Sequence, residues 1–308
     1  MSIWIIFIIL LIIICITGIV TGYYFSLIIA RPICRSYEET YYCTKGREPK
    51  VIETYNKLKK EKVSIDSVYG YKLNGIFFPN RKVDKVVILS HGVTSNLWNM
   101  LKYGFAYIPK GFSILAYDHR YHGLSEGKSV SYGYYEKYDL KACVDWLRNR
   151  YGNNIKIGLH GESMGSAIII EYLGLYDDVE FCVDTCGYTD FREEAKFILR
   201  QDFNIKLDII QNYIIIFSSI INKIKYGWSF KQVSPIKSIK NTKTPLLLIH
   251  GREDTVVPFD MCEKIFNAKK YGIKDKYEVK KAKHTTTLDS DEKSYIDHLY
   301  RFLESVGI

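Results

Sequence analysis

The chain has 308 residues, 47% hydrophobic and 25% charged, which suits a well-buried core and argues against disorder. Its formal net charge of +9 is scattered, with no Arg-rich stripe or nucleic-acid motif, so no nucleic-acid partner is expected. Seven cysteines (Cys15, Cys34, Cys43, Cys143, Cys182, Cys186 and Cys262) form no repeated spacing, which argues against a disulfide framework, and none has zinc-ligand spacing.

No charged side chain occurs from Ser2 to Ala30, and residues 3–20 are nearly all aliphatic. About 20 apolar residues rising 1.5 Å each cross the hydrocarbon core, so residues 1–30 are expected to form a transmembrane anchor. Tyr23, Tyr24 and Phe25 then fall at the interface. A cleaved signal peptide is the rival; the length of the run, the missing basic residue before it and the missing small-x-small site count against it. Arg31, Arg35, Lys45 and Arg47 follow the run closely, which predicts a single-pass protein of the cell membrane with its folded domain in the cytoplasm. Lys57, Lys59, Lys60 and Lys62 read first as a solvated helix face, and second as an attraction to anionic lipid.

Residues 31–61 are polar, contain Pro32 and Pro49, and read as a stalk with a short helix over 51–60. The folded domain is expected over 62–308. Strand signals occur at 62–68, 71–78, 85–90, 112–117, 155–159, 179–185, 245–249 and 276–281, the first two hairpin-like near Gly70. Helical patterns fill 97–108, 134–151, 164–175, 259–271 and 291–306. This alternation predicts an α/β fold with a mostly parallel eight-stranded sheet covered by helices. The alternation breaks between Gly187 and Pro235, where a helical cap is expected at about 188–234. Residues 207–224 within it are very apolar; a second membrane span is the rival, but Asp208, Gln211, Asn212, Asn222 and Lys223 punctuate a run that is already short.

Gly161-Glu162-Ser163-Met164-Gly165 matches G-x-S-x-G between a strand and a helix, the context in which this motif presents a nucleophilic serine on a tight turn. A serine hydroxyl needs a base, and the base needs an orienting acid. Asp254 follows the strand at 245–249 and His284 the strand at 276–281, so both fall at strand ends after Ser163. Glu253, Asp184 and Asp190 are rival acids. Among the other histidines, His298 lies on the last helix, and His91, His160 and His250 adjoin glycines at strand ends, where they hold turns. Two backbone N–H donors must face the developing oxyanion. Met164 follows the nucleophile, and Val93 lies in the loop from Ser90 to Asn96, where Gly92 lets the backbone turn inward.

Together these residues resemble the α/β-hydrolase superfamily, in particular its esterase/lipase and acyl-transferase-like branch with an HG oxyanion loop. The resemblance runs from Lys62 to the C-terminus and rests on His91-Gly92, the D-x-R-x-H-G-x-S stretch from Asp118 to Ser125, Gly161 to Gly165, Gly251 to Asp254, and His284. It implies an α/β-hydrolase fold and a serine hydrolase acting on small-molecule ester or acyl substrates. A structural role is implied for Asp118 to Ser125, and an N-terminal hydrophobic anchor is similar to that of related bacterial hydrolases. No metal or organic cofactor is needed for such chemistry. An amidase or peptidase would use the same three groups, although the lack of a preceding β-propeller disfavours a prolyl-oligopeptidase-like enzyme. A membrane-tethered scaffold without activity is the reading from a different class.

Overall fold

The computed structural model describes residues 3–308. The first helix, α1 (Ile3–Ala30), is apolar throughout. It is followed by α2 (Tyr37–Arg47), α3 (Pro49–Lys57), β1 (Glu61–Asp66), β2 (Lys72–Phe78), β3 (Lys85–Ser90), α4 (Leu97–Phe105), β4 (Ser113–Tyr117), α5 (Glu136–Tyr151), β5 (Lys156–Glu162), α6 (Met164–Leu173) and β6 (Phe181–Thr185). The remainder comprises α7 (Phe191–Gln201), α8 (Asp208–Tyr226), α9 (Pro235–Ser238), β7 (Leu246–Gly251), α10 (Phe259–Ala268), β8 (Lys274–Val279), α11 (Thr287–Ser290) and α12 (Glu292–Ser305). The anchor was expected over 1–30; residues 1 and 2 lie outside the described residues.

The eight strands form one sheet in the order β1-β2-β4-β3-β5-β6-β7-β8. β2 runs antiparallel to both β1 and β4, and every pairing from β4 through β8 is parallel. The parallel strands are covered on both faces, which explains why Val86, Val87, Ile88 and Leu89 form an unbroken apolar run rather than an alternating one. On one face α6 is buried along its whole length. The strand ends expected to carry the site, after β3, β5, β7 and β8, share one edge of the sheet because parallel strands point their carboxyl ends the same way.

The stretch expected as a stalk is instead packed against the body. Ser36 caps α2 in a reciprocal capping box with Glu39. Tyr37, Tyr41 and Tyr55 then enclose the buried Trp98 of α4 at ring-centroid distances of 5.6, 4.9 and 4.8 Å. Pro49 starts a second helix, so the two prolines punctuate structure rather than mark a linker. The polar composition of 31–61 concealed this, because its apolar groups are tyrosine rings that bury their faces and keep their hydroxyls near water.

The insertion after β6 consists of α7, α8 and a short turn at Phe230–Gln232. α8 lies against α1 rather than only against the sheet. Gly18 and Gly22 of α1 admit it: a Cβ on Gly18 would lie 2.5 Å from the Phe217 ring and one on Gly22 2.7 Å from the Phe217 Cβ. The Thr17 and Tyr213 hydroxyls meet at 2.7 Å, and Ser26 donates to Asn222 across 3.2 Å in a buried contact. Phe25 and Ile29 of α1 belong to the main core, and the Ala30 carbonyl accepts the Val130 N–H at 2.9 Å.

Replacing Trp98 by Ala removes the ring that three tyrosines enclose and is expected to cost about 3–5 kcal/mol. Limited trypsinolysis checks this: the wild-type protein should resist cleavage at Lys45 and Arg47, and the variant should be cut there. Equal cleavage of both would show that α2 and α3 hang free.

Candidate active site

β5 ends at Glu162, and the chain turns through Ser163 into α6. Ser163 sits at φ +55° and ψ −116°, a backbone conformation that costs a non-glycine residue on the order of 1–3 kcal/mol. The surroundings leave it no alternative. A Cβ on Gly165 would overlap the Ser90 carbonyl oxygen, and one on Gly161 would lie 2.5 Å from the Gly165 carbonyl carbon. Both positions are closed to side chains because strand and helix touch there. Ser163 donates its N–H to the Thr185 carbonyl at 2.8 Å, and the Ser166 hydroxyl donates to the Gly161 and Thr185 carbonyls, stitching the turn to β6.

The structure brings Ser163, His284 and Asp254 together. His284 Nε2 lies 3.0 Å from Ser163 Oγ, and His284 Nδ1 lies 2.7 Å from Asp254 Oδ2. The other Asp254 oxygen accepts the N–H groups of Val256 and Val257 at 2.9 and 2.8 Å, so the loop after β7 aims the carboxylate. Burial alone would raise the Asp254 carboxyl, but hydrogen bonding by His250 and His284 outweighs it and brings the group down to about 2. The carboxylate is therefore ionised at any physiological pH.

Val93 lies in the loop after β3, and Met164 is the first residue of α6. Gly92 sits close beside Ser163, where an added Cβ would lie 3.5 Å from the Ser163 Cβ. Among the described residues, neither the Val93 nor the Met164 backbone N–H donates to a protein acceptor. The α6 N-terminus places its positive end beside Ser163.

The rival residues are engaged elsewhere. Asp190 caps α7 through the Arg192 N–H, and Asp184 accepts the Gly187 N–H. His91 accepts the His119 N–H and contacts the Gly92 carbonyl, His160 sits among Tyr107, Thr185 and Tyr295, and His298 stacks on Tyr277. Asp118 holds its loop by accepting from Leu97, Leu124 and Asn74, a structural task.

Several residues at the site were not anticipated from sequence. Glu162 is buried beside Ser163 and accepts from Asn99 and Tyr103 at 2.9 and 2.8 Å, tying α4 to the turn. Burial raises its carboxyl, an effect that nearby Lys102 opposes. His250 donates to the Val257 carbonyl at 2.8 Å and packs its ring 3.4 Å from Asp254. Cys186 places its sulfur so that one ligand atom each of Cys186, Asp254 and His284 lie within 4.8 Å of one another. Burial pushes the Cys186 thiol well above its usual range, which keeps it protonated and a poor metal ligand, while Asp254 and His284 are already bonded to each other. Glu194 on α7 is buried with its Oε2 unpartnered; burial first, then the negative charges of Asp254 and Asp202, push it up to about 8. A carboxyl on an amphipathic helix reads as solvent-facing in sequence, and only the packing of α7 over the sheet edge reveals it as buried.

This fold and this strand–turn–helix site are those of the α/β hydrolases, and comparison with known proteins agrees. A family model described as serine aminopeptidase, S33, matches residues 81–202, and that of the prolyl oligopeptidase family matches residues 212–306. The uncharacterized protein YqkD of Bacillus subtilis is 31% identical over 263 residues, covering 83% of this chain and 83% of that protein. A lysophosphatidylserine lipase of Xenopus tropicalis is 26% identical over 169 residues, covering 51% of this chain and 39% of that protein. Among solved structures, an esterase from Pyrococcus furiosus superposes with a TM-score of 0.67 at 24% identity, covering 82% of this chain and 93% of that one. The chain belongs to the α/β-hydrolase superfamily, in the family that includes YqkD, and is a hydrolase of the esterase, lipase and peptidase type.

Glu194 generates a pH test. Its folded value of about 8 lies above the ordinary 4.5, so its stabilising contribution is complete below pH 4.5 and is lost as pH rises towards 8. The loss amounts to on the order of 3 kcal/mol at neutral pH. Glu194→Gln should flatten the fall in melting temperature between pH 5 and pH 8; an unchanged slope would remove the buried carboxyl from the account.

Proposed function

We propose that the protein is a membrane-anchored serine hydrolase that cleaves carboxylic ester or thioester bonds of apolar acyl substrates. The observation that carries this is the 3.0 and 2.7 Å chain from Ser163 through His284 to Asp254 at one edge of the sheet. His284 removes the Ser163 proton as the oxygen attacks the carbonyl carbon, and Asp254 fixes the imidazole tautomer and stabilises the imidazolium. The Val93 and Met164 N–H groups hold the oxyanion. His284 then protonates the leaving group, and water repeats the sequence on the acyl-enzyme.

The acyl preference rests on the membrane. α1 is long and apolar enough to span, and its last residues belong to the core, so a cleaved leader is disfavoured. Just beyond it, the Arg35 N–H donates to the Thr94 carbonyl at 3.0 Å, next to Val93. Val93 therefore lies within a few residues of where α1 would leave the bilayer, a place suited to amphiphilic esters. The basic flank of Arg31, Arg35, Lys45 and Arg47 supports a cytoplasmic position for the domain. Peptide or amide cleavage by the same groups is the second reading, favoured by the names of the two matching family models.

Ser163→Ala should lower turnover by on the order of 10⁴–10⁶, and Asp254→Asn by on the order of 10⁴. The purified protein should hydrolyse p-nitrophenyl esters with kcat/KM rising from short to medium or long acyl chains. Cleavage of aminoacyl amides alone would favour the peptidase, and wild-type rates in Ser163→Ala would end the nucleophile assignment.

A further inference from the structure

α8 leaves an apolar stripe without a protein partner. Ile209, Ile216, Ile220 and Ile224 follow one another at helical spacing and are 78, 56, 53 and 81% exposed. A soluble cap helix would carry polar residues there. The opposite side of α8 buries Ile214, Ile215 and Ser218, and the adjoining side is fixed to α1 through Gly18, Gly22 and Ser26.

The two helices run in the same direction, since Tyr213 meets Ile14 and Thr17 while Asn222 meets Ser26. The first half of α8 therefore lies beside the exposed aliphatic part of α1, and its end beside Tyr23 and Tyr24. Lys225 reaches the Tyr23 hydroxyl at 3.1 Å, at the level where α1 would meet headgroups. Along the outer side of α8 a cavity of about 630 Å³ is walled by Ile216, Ile220 and Ile224 and rimmed by Arg192, Lys223 and Lys231. Apolar residues at one end and aromatic and basic residues at the other is the layering of a membrane-embedded helix.

We infer that α8 is a second membrane-contacting element, seated in the proximal leaflet beside α1, with anionic lipid headgroups against Lys223, Lys225 and Lys231. The inference rests on reading α1 as a span. α8 does not cross the bilayer: Gln211 and Asn212 interrupt it, and Asp208 at its start is paired with Arg200 at 2.9 Å, the tolerable form of charge at depth. The close α1–α8 approach at Gly18 and Gly22 is the small-residue packing that lets helices associate in lipid. The insertion and the anchor thus form one unit.

The test uses the full-length protein in nanodiscs containing phosphatidylglycerol, with the surface cysteines Cys15, Cys34 and Cys43 replaced by Ser. A nitroxide is attached in turn at Ile8→Cys, Ile209→Cys, Ile216→Cys and Tyr271→Cys, all at exposed positions. Oxygen, which partitions into lipid, is compared with a water-soluble nickel chelate as relaxation agent. The oxygen-to-nickel ratio at positions 8, 209 and 216 should exceed that at 271 severalfold. A high ratio at 8 with values at 209 and 216 equal to 271 would overturn the α8 inference alone. A low ratio at 8 would overturn the span and the inference together. As a second reading, Lys223→Glu with Lys231→Glu should lower the ratio at 216 only in anionic discs; no dependence on lipid charge would contradict the headgroup contact.

Discussion

At Ser163 the chain holds a side-chain-bearing residue in a left-handed backbone conformation, and the rest of the site depends on that one turn. Strand β5 and helix α6 approach so closely that positions 161 and 165 admit no Cβ, and the Ser90 carbonyl closes the remaining space. The strain of on the order of 1–3 kcal/mol persists because α6, buried along its whole length, cannot move away without opening the core. The same turn lifts the hydroxyl out of the sheet towards His284 and leaves the Met164 N–H without a partner.

Around that turn the structure spends buried polar groups freely. Glu162, His250, Cys186 and Glu194 all stand at or beside the site, and burial shifts the carboxyls of Glu162 and Glu194 and the Cys186 thiol in favour of their neutral forms. Asp254 alone goes the other way, because two histidines and two backbone N–H groups supply what water would. A carboxylate held ionised by its own hydrogen bonds is the electrostatic condition for orienting an imidazole.

Much of this was legible in the sequence, for physical reasons. The inner parallel strands, covered on both faces, read as aliphatic runs, and the first two read as a hairpin about Gly70; all eight were found with small shifts at their ends, such as β8 at Lys274–Val279 rather than 276–281. Glycines at 161 and 165 are conspicuous because close approach allows nothing else, and the chain order of Ser163, Asp254 and His284 picked out the three groups that meet. What stayed hidden depends on partners remote in sequence. The fold of 36–57 onto Trp98 is made by tyrosines that look polar in composition. The burial of Glu194 and the seat of Cys186 beside His284 follow from tertiary packing, which no local pattern encodes. The pairing of α1 with α8 had a faint signal, the four-residue spacing of Gly18 and Gly22, yet its partner lies about two hundred positions away.

Covalent capture tests whether the Ser163 hydroxyl is the nucleophile. The membrane-reconstituted protein would be treated with a fluorophosphonate, digested and mapped by mass spectrometry. A single phosphonylated serine at position 163 is expected, with labelling abolished in His284→Ala. An adduct on Ser166 or another serine, or labelling that persists without the imidazole, would contradict it.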